Sequence, residues 1–306
     1  MKTKLLCGKK ISALTLGTVQ LGLAYGVNNE RGMPTYEESA SILNTATDEG
    51  ICSFDTARAY GESEAVLGRY FKENAVPRTV ITKAAIYDAA PENFEDELFS
   101  SVRTSLKCLG AEKVDAVMFH NEKMFDKYGD VAARALQKLR AEGLCDCIGT
   151  SFSDKTRLYE YSTDYSLDCV QIPANMFDAV GINDGIVQKL AEQGTFVFVR
   201  SLYLQGLFFK NTDTLTGKLL AAKESLDSLS SLAREAGLGM AEMAVAYIRD
   251  SAGVGSLVLG CDTPDQLRES CRVVNSPSLS DSLRGEIERI AERVPSIVVR
   301  PWDWYK

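Results

Sequence analysis

Short strand-like runs alternate with longer amphipathic segments along most of this chain. Each run is followed by a segment in which apolar residues recur with helical spacing, and eight such units succeed one another. Runs this short, set between helical segments and dominated by apolar residues, are typical of buried parallel strands. The predicted strands cover residues 14–17, 51–54, 79–83, 114–119, 146–151, 168–172, 195–199 and 256–259.

The predicted helices have recognisable ends. Thr35 is a plausible N-cap for the first helix, which is expected to end near Asp48 and Gly50. A glycine-bearing loop with Gly22 and Gly26 precedes that helix. The predicted helices cover residues 35–48, 63–72, 91–108, 129–141, 154–162, 183–192, 217–236, 240–249 and 264–273.

Eight alternating units favour a parallel sheet closed into a barrel over an open doubly wound sheet. An open dinucleotide-binding sheet would carry G-x-G-x-x-G after its first strand, but Gly17 to Gly22 has a different glycine spacing. No linker rich in Pro or Ser divides the chain. We therefore predict one domain, residues 1–306, of the α/β class with a (β/α)8 TIM-barrel fold.

Two further segments lie outside the eight units. Residues 4–7 and 10–12 predict a β-hairpin that turns at Gly8 and Lys9 and covers the bottom of the barrel. Residues 279–306 predict a final helix and a strap that pack against the outside.

Composition narrows the possible partners and locations. The 306 residues carry 34 Lys and Arg against 42 Asp and Glu, which gives a net charge of -8 and a pI near 5.0. Nucleic acid and anionic membrane are therefore poor candidates as partners. The N-terminus lacks the apolar core of a signal peptide, and no apolar run approaches the roughly 20 residues of a membrane span. We expect a cytoplasmic protein.

Eight cysteines invite a disulfide or zinc interpretation, which their spacing does not favour. Six are isolated, and Cys145 and Cys147 are separated by one residue rather than two. With one histidine in the chain, a Cys/His metal site is not expected. The cysteines are predicted to be reduced, buried small hydrophobes, and no metal is expected.

Four ionisable residues follow or end three consecutive strands. Asp55 ends the second strand, Lys83 the third and His120 the fourth, while Tyr60 lies on the loop after Asp55. Each alone has a simple structural explanation: a turn residue, a surface charge, a hydrogen-bonded histidine or a packing aromatic ring. Since the carboxyl ends of barrel strands converge on one face, we expect all four to share one cavity.

Together these side chains suit proton transfer. A phenol hydroxyl is a weak acid at neutral pH, but an ammonium about 4 Å away stabilises the phenolate by roughly 4 kcal/mol at an effective dielectric of about 20. Asp55 can hold the charge of Lys83 in place, and His120 can orient a substrate oxygen. The sequence thus predicts a proton donor, Tyr60, beside an oxygen that gains negative charge.

The same residues resemble those of a known family. The stretch from Phe54 to Gly61, with Ser63-Glu64 and Leu67-Gly68 behind it, resembles the signature of the aldo-keto reductases. The segments 81–83 and 119–121 are similar to that family's lysine and histidine segments. The resemblance runs from about residue 11 to 275 and passes through segments 17–18, 149–151, 171–175 and 201–206.

The resemblance implies a barrel that transfers hydride from a nicotinamide cofactor to an aldehyde or ketone. Tyr60 would be the general acid, Lys83 and Asp55 its tuning pair, and His120 the group that orients the carbonyl. We expect a small carbonyl or alcohol substrate and a monomer or small homo-oligomer. The cofactor contacts that the resemblance implies are Ser151 and Gln171 to the carboxamide, Arg200 stacked on the ring, Ser201, Leu202, Gln205 and Gly206 over the pyrophosphate, and also Gly17, Thr18, Asp55, Gly260, Gln266 and Ser270.

The sequence gives less clear evidence on whether the protein uses NADP or NAD. NADP is the habit of the family, and its strongly NADP-selective members carry a basic residue near Gly260 and an arginine near Gln266. Neither charge is present here, and Asp262 is unfavourable for a phosphate. Phe152 also stands where many members have an asparagine that contacts the carboxamide. NADP is expected because it is the habit of the family, and NAD remains open because the charges that would bind a 2′-phosphate are missing.

The loop after the first predicted barrel strand indicates which class of substrate the site would suit. Residues 21–26, together with Asn28 and Asn29, supply polar groups and an aromatic ring, and the loop after His120 is short. An open site with such groups would suit a hydroxylated or sugar-like substrate.

Two other classes of function remain open. One is an NAD(P)-binding sensor or accessory protein with little turnover. The other is a barrel lyase or isomerase in which Lys83 forms a Schiff base. Asp55 disfavours the latter because it would keep the lysine charged.

Overall fold

A closed barrel of parallel strands lies at the centre of the computed structural model, which describes residues 1–25, 32–86 and 89–304. Each barrel strand is hydrogen-bonded to two neighbours, and the last pairs with the first at Leu257 and Leu14, so the sheet has no free edge. The predicted (β/α)8 class is confirmed. The eight strands in barrel order are β3 (Leu14–Gly17), β4 (Ser53–Asp55), β5 (Thr79–Ala84), β6 (Val114–Phe119), β7 (Cys145–Ser151), β8 (Cys169–Pro173), β9 (Phe196–Arg200) and β10 (Val254–Leu259).

Helices surround the barrel at nearly the predicted positions. The first long helix begins with a capping box in which Thr35 and Glu38 satisfy each other's backbone N–H, which confirms Thr35 as the N-cap. The segment predicted as helix from 217 opens as a 3₁₀ turn, Gly217–Ala222. The helices are α1 (Val19–Gly22), α2 (Tyr36–Asp48), α3 (Ser63–Glu73), α4 (Phe94–Leu109), α5 (Lys123–Tyr128), α6 (Asp130–Ala141), α7 (Leu158–Asp164), α8 (Ile186–Glu192), α9 (Lys223–Glu235), α10 (Met240–Arg249), α11 (Pro264–Val274) and α12 (Asp281–Ala291).

Two short helices depart from the predictions. The segment expected to be a glycine-bearing loop contains the single helical turn α1, and α5 precedes the helix predicted from residue 129. Both have four to six residues, too few to show a helical period in the sequence. Gly26 lies outside the described residues.

The predicted hairpin is present at the barrel floor. Strands β1 (Thr3–Leu6) and β2 (Lys9–Ser12) are antiparallel, with Leu6 opposite Lys9, so the turn falls on Cys7 and Gly8, one residue earlier than predicted. Leu6 and Ile11 are buried in a cluster with barrel residues that include Ile81 and Met118. The hairpin thereby closes one end of the barrel and leaves the opposite end for a site.

The cysteine prediction was wrong for one pair. A disulfide joins Cys7 in the hairpin turn to Cys147 on β7, with their Cα atoms 6.4 Å apart. The two residues are 140 positions apart in sequence, so their spacing carried no sign of the bond. The hairpin brings Cys7 close to the buried Cys147, and only the folded barrel makes them neighbours.

The tail packs as a helix and a strap, as predicted. Helix α12 packs against α9, and Ile287 on it is fully buried. Near the end, the indole N–H of Trp304 donates to the carbonyl of Val298 at 3.0 Å. No helix within the described ranges has the length and apolar character needed to cross a bilayer.

Candidate active site

A buried ion pair lies at the carboxyl ends of β4 and β5. The ammonium of Lys83 donates to both carboxylate oxygens of Asp55, at 2.6 and 2.7 Å, and also to the carbonyl of Thr56 at 3.2 Å. Lys83 is only 1% exposed. Burial opposes its charge, but the carboxylate of Asp55 outweighs this and raises the pKa of Lys83. The lysine is therefore a fixed ammonium.

Tyr60 and His120 lie above this pair. The Lys83 Nζ is 5.2 Å from the centre of the Tyr60 ring, and the ring centroids of Tyr60 and His120 are 5.5 Å apart. Burial, followed by the charge of Lys83, lowers the pKa of His120 to about 4. The imidazole is thus neutral at pH 7, with one nitrogen as donor and one as acceptor. The four residues expected to converge do so.

A second ion pair fastens the loop that carries Tyr60. The backbone N–H of Arg58 donates to the carbonyl of Lys83 at 3.0 Å, and its guanidinium pairs with the carboxylate of Glu64. Glu64 is fully buried and also accepts from the Thr82 hydroxyl at 2.6 Å. In the sequence, Glu64 stood out only as part of the stretch that resembles the family signature. Its partner Arg58 could have been suspected from the same stretch, because a buried carboxylate needs a cation.

Gln171 and Ser151 extend the network from Asp55. The amide of Gln171 on β8 donates to an oxygen of Asp55 at 2.8 Å, and the hydroxyl of Ser151 on β7 donates to the Gln171 carbonyl at 3.4 Å. The backbones of these two residues pair directly in the sheet. Both side chains are buried, so they form part of the floor of the site.

A cleft of about 480 Å³ opens above this floor. All the predicted site residues line this cleft except three. Lys83 lies beneath Asp55, and Gln266 and Ser270 lie on α11 outside the lining. Ser270 donates to the carbonyl of Gln266, and the Gln266 side chain accepts from the backbone N–H of Asp262 at 2.7 Å. Lining residues that were not predicted as site residues are Val19, Gln20, Tyr25, Ser153, Tyr203, Phe209, Val258, Leu259 and Asp262.

One wall of the cleft has an uncommon backbone. The φ angles of Ser201, Leu204 and Gln205 are 65°, 46° and 53°, in the left-handed region that glycine favours, and Gly206 follows at 88°. The preceding Arg200 donates to the carbonyl of Phe152 at 3.0 Å and to the Ser201 hydroxyl at 3.2 Å. Such backbone conformations are costly and concentrate at ligand sites.

The arrangement combines the parts needed to protonate an oxygen. It holds a phenol hydroxyl, a fixed ammonium and a neutral imidazole at one end of a cleft, with little solvent around the charged pair. An ammonium and an N–H donor aimed at one region stabilise negative charge that develops there. Among the described residues, no group of three or more His, Cys, Asp or Glu is placed to hold a metal ion.

Comparisons with known proteins identify the family of this chain. The family model of the aldo/keto reductases matches residues 13–292. The L-glyceraldehyde 3-phosphate reductase of Escherichia coli K12 is 25% identical over 320 residues, which cover 92% of this chain and 90% of the relative.

Two solved structures share the fold. An aldo-keto reductase of Bacillus halodurans in its holo form superposes with a TM-score of 0.79 at 20% identity, covering 95% of this chain and 96% of that one. A glycerol dehydrogenase of Gluconobacter oxydans superposes with a TM-score of 0.75 at 23% identity, covering 95% of each chain. Because the family model spans most of the sequence, this chain belongs to the aldo/keto reductase family and is an NAD(P)H-dependent oxidoreductase.

Proposed function

We propose that this protein reduces a small aldehyde or ketone, with Tyr60 as the proton donor. The observation that carries the proposal is the position of Tyr60, whose ring lies 5.2 Å from the buried Lys83 ammonium and 5.5 Å from His120. Lys83 stabilises the phenolate left when the Tyr60 proton moves to the substrate oxygen. Asp55 keeps Lys83 charged and in place.

His120 orients the substrate. As a neutral imidazole it donates an N–H hydrogen bond to the carbonyl oxygen and adds no competing positive charge beside Lys83. The donated bond polarises the carbonyl and points its oxygen at the Tyr60 hydroxyl. Proton transfer then completes the alcohol on the same oxygen.

The cleft fits a nicotinamide cofactor. The buried carbonyl oxygen of the Gln20 side chain has no hydrogen-bond partner among the described residues, as expected where a ligand supplies the donor. The cofactor supplies a hydride when bound. Ser151, Gln171 and Arg200 would hold its nicotinamide ring, and the wall from Ser201 to Gly206 would cover its pyrophosphate.

The lining near Tyr60 suits a hydroxylated or sugar-like substrate. Tyr25, Ser153 and His120 all present polar groups to the cleft. The names of two similar proteins, an L-glyceraldehyde 3-phosphate reductase and a glycerol dehydrogenase, point to small hydroxylated compounds. Asn28 and Asn29, which the sequence also suggests for this role, lie outside the described residues.

A substrate panel tests the proposal. The purified protein is given NADH or NADPH with aldoses, short hydroxyaldehydes and apolar aldehydes, and loss of reduced nicotinamide absorbance is followed. We expect turnover of hydroxylated aldehydes. Turnover of apolar aldehydes alone would refute the substrate class, whereas tight cofactor binding without any turnover would favour a sensor.

The Schiff-base alternative has its own test. The double hydrogen bond from Lys83 to Asp55 argues against it, because a protonated amine is not a nucleophile. Borohydride added with substrate should leave the mass of the protein unchanged. A mass increase at Lys83 would show that the lysine forms a covalent intermediate.

A further inference from the structure

We propose that Glu122 is a positioning residue, which fixes the orientation of His120 by joining two loops at the mouth of the barrel. These are the β6 loop, residues 120–122, and the β7 loop, residues 152–157. The inference rests on the proposed function, because it presumes that His120 orients the substrate carbonyl.

The carboxylate of Glu122 connects the two loops. One of its oxygens accepts from the backbone N–H of Ser153 at 2.8 Å, and the other accepts from that of Asp154 at 3.2 Å. Hydrogen bonds from backbone N–H groups to an ionised carboxylate are stronger than those between neutral groups. Since each oxygen holds a different residue, the side chain fixes the direction of the β7 loop as well as its distance from the β6 loop.

Glu122 is a buried acid whose charge is stabilised by main-chain donors. It is only 6% exposed, and its hydrogen-bond donors among the described residues are both backbone N–H groups. A buried carboxylate is costly unless donors of this kind surround it. A glutamine here would keep one acceptor oxygen, but its NH₂ group would face the second backbone N–H. Both contacts therefore require the ionised acid.

The β7 loop is also fixed on the side away from Glu122. Phe152 is fully buried, and its carbonyl accepts from the guanidinium of Arg200 at 3.0 Å. Further along the loop, the ammonium of Lys155 pairs with the carboxylate of Asp178 at 2.8 Å. The loop is therefore a firm anchor for the carboxylate of Glu122.

His120 lies between two fixed points of the backbone. Immediately before it, Phe119 ends β6 and is paired in the sheet with Ala84 and Thr150. Two residues after His120, Glu122 is held by the β7 loop. The short segment between these points leaves the backbone of His120 little freedom to move.

The effect of Glu122 on the imidazole is one of position. Burial and the Lys83 ammonium lower the pKa of His120, Asp55 opposes them and Arg200 adds to them, so the charge state of the ring is set by these other groups. A hydrogen bond to a reacting oxygen must also point in the right direction, and a misplacement of about 1 Å costs a factor of about 10² in rate. Glu122 keeps the imidazole N–H aimed at the carbonyl oxygen.

Glu122→Ala and Glu122→Gln test the proposal in the full-length protein. For a hydroxylated aldehyde, we expect kcat to fall by about 10-fold to 10²-fold in Glu122→Ala, because the imidazole loses its fixed direction. The fall should be smaller in Glu122→Gln, which keeps one acceptor oxygen. The dissociation constant of the reduced cofactor should change less than kcat. The NMR ring signals of His120, the only histidine in the chain, should move in both variants.

Asp115→Asn is the matched control. Asp115 lies near the opposite end of β6 and also accepts from a backbone N–H, that of Val80 at 2.8 Å. Its replacement should lower the free energy of unfolding but leave kcat and the His120 signals unchanged.

The same behaviour in the Glu122 variants, a loss of stability with kcat and the His120 signals unchanged, would overturn the inference. If Glu122→Ala does not fold, Glu122→Gln, which has nearly the same shape, decides by the same two measurements. Failure of the unaltered protein to reduce any carbonyl would contradict the proposed function. The His120 signals would then still decide whether Glu122 fixes the imidazole.

Discussion

Tyr60 and His120 meet edge to face, with ring centroids 5.5 Å apart and ring planes at 84°. This contact joins the loop after β4 to the end of β6 directly above the Asp55–Lys83 pair. It keeps a phenol and an imidazole next to each other while the imidazole is uncharged. Tyr60 and His120 could both contact one substrate oxygen, and because the imidazole is uncharged the two side chains keep separate roles.

The neutral state of His120 can be measured directly. As the only histidine in the chain, it gives the only imidazole ring signals in an NMR spectrum. We expect their titration midpoint near pH 4, because burial and the Lys83 ammonium both disfavour the charged ring. A midpoint near the ordinary value of 6.5 would contradict this environment.

The same shift predicts a loss of stability in acid. The folded-state pKa of His120 lies below the unfolded value of about 6.5, so the unfolded state binds more protons between the two values. The contribution is complete above pH 6.5 and is lost as the pH falls to about 4, an effect of about 3 kcal/mol. Urea unfolding of the protein and of His120→Gln should diverge over this pH range. Parallel curves would mean that the pKa of His120 is the same in the folded and unfolded protein.

Removing the carboxylate of Asp55 alone should lower the stability of the folded protein. In Asp55→Asn the Lys83 ammonium is left buried without its counter-charge, and we expect a loss of about 3–5 kcal/mol in the free energy of unfolding. The double variant Asp55→Asn with Lys83→Met should recover much of that loss, since no charge then remains unpaired. Additive losses in urea unfolding would show that the two residues do not stabilise each other.

The disulfide predicts a third stability effect. Cys7→Ser should lower the free energy of unfolding of the oxidised protein by about 2–4 kcal/mol, because the bond closes a long loop in the unfolded chain. Cys52→Ser is the control, as Cys52 is a free thiol near the same hairpin. Peptide mapping without reductant should recover Cys7 linked to Cys147. Recovery of both as free thiols would contradict the pairing.

Local patterns were enough to predict the architecture. Each barrel strand is a short run whose helix follows in sequence, so the alternation of strands and helices could be read without any long-range contact. The convergence of Asp55, Lys83 and His120 followed from the same pattern, because the barrel places all strand ends on one rim. Their distances and the charge state of His120 required the fold itself.

Features that depend on contacts distant in sequence were missed. The Cys7–Cys147 bond joins the hairpin to a strand 140 positions away. Gln20 could not be singled out from the sequence, because only the fold places it against Gly260, near the other end of the chain, with its side-chain oxygen buried and without a partner among the described residues. Arg58 and Glu64 are six residues apart, yet the burial that makes their pairing necessary comes from the surrounding barrel.

Tyr60→Phe tests the central claim most directly, because it removes one hydroxyl from the site and leaves the ring beside His120. The kcat for reduction of a hydroxylated aldehyde should be compared with the dissociation constant of the reduced cofactor. We predict that kcat falls by about 10² to 10⁴, the usual contribution of a general acid, while cofactor binding is unchanged. A variant that keeps the kcat of the unaltered protein would show that Tyr60 is not the proton donor.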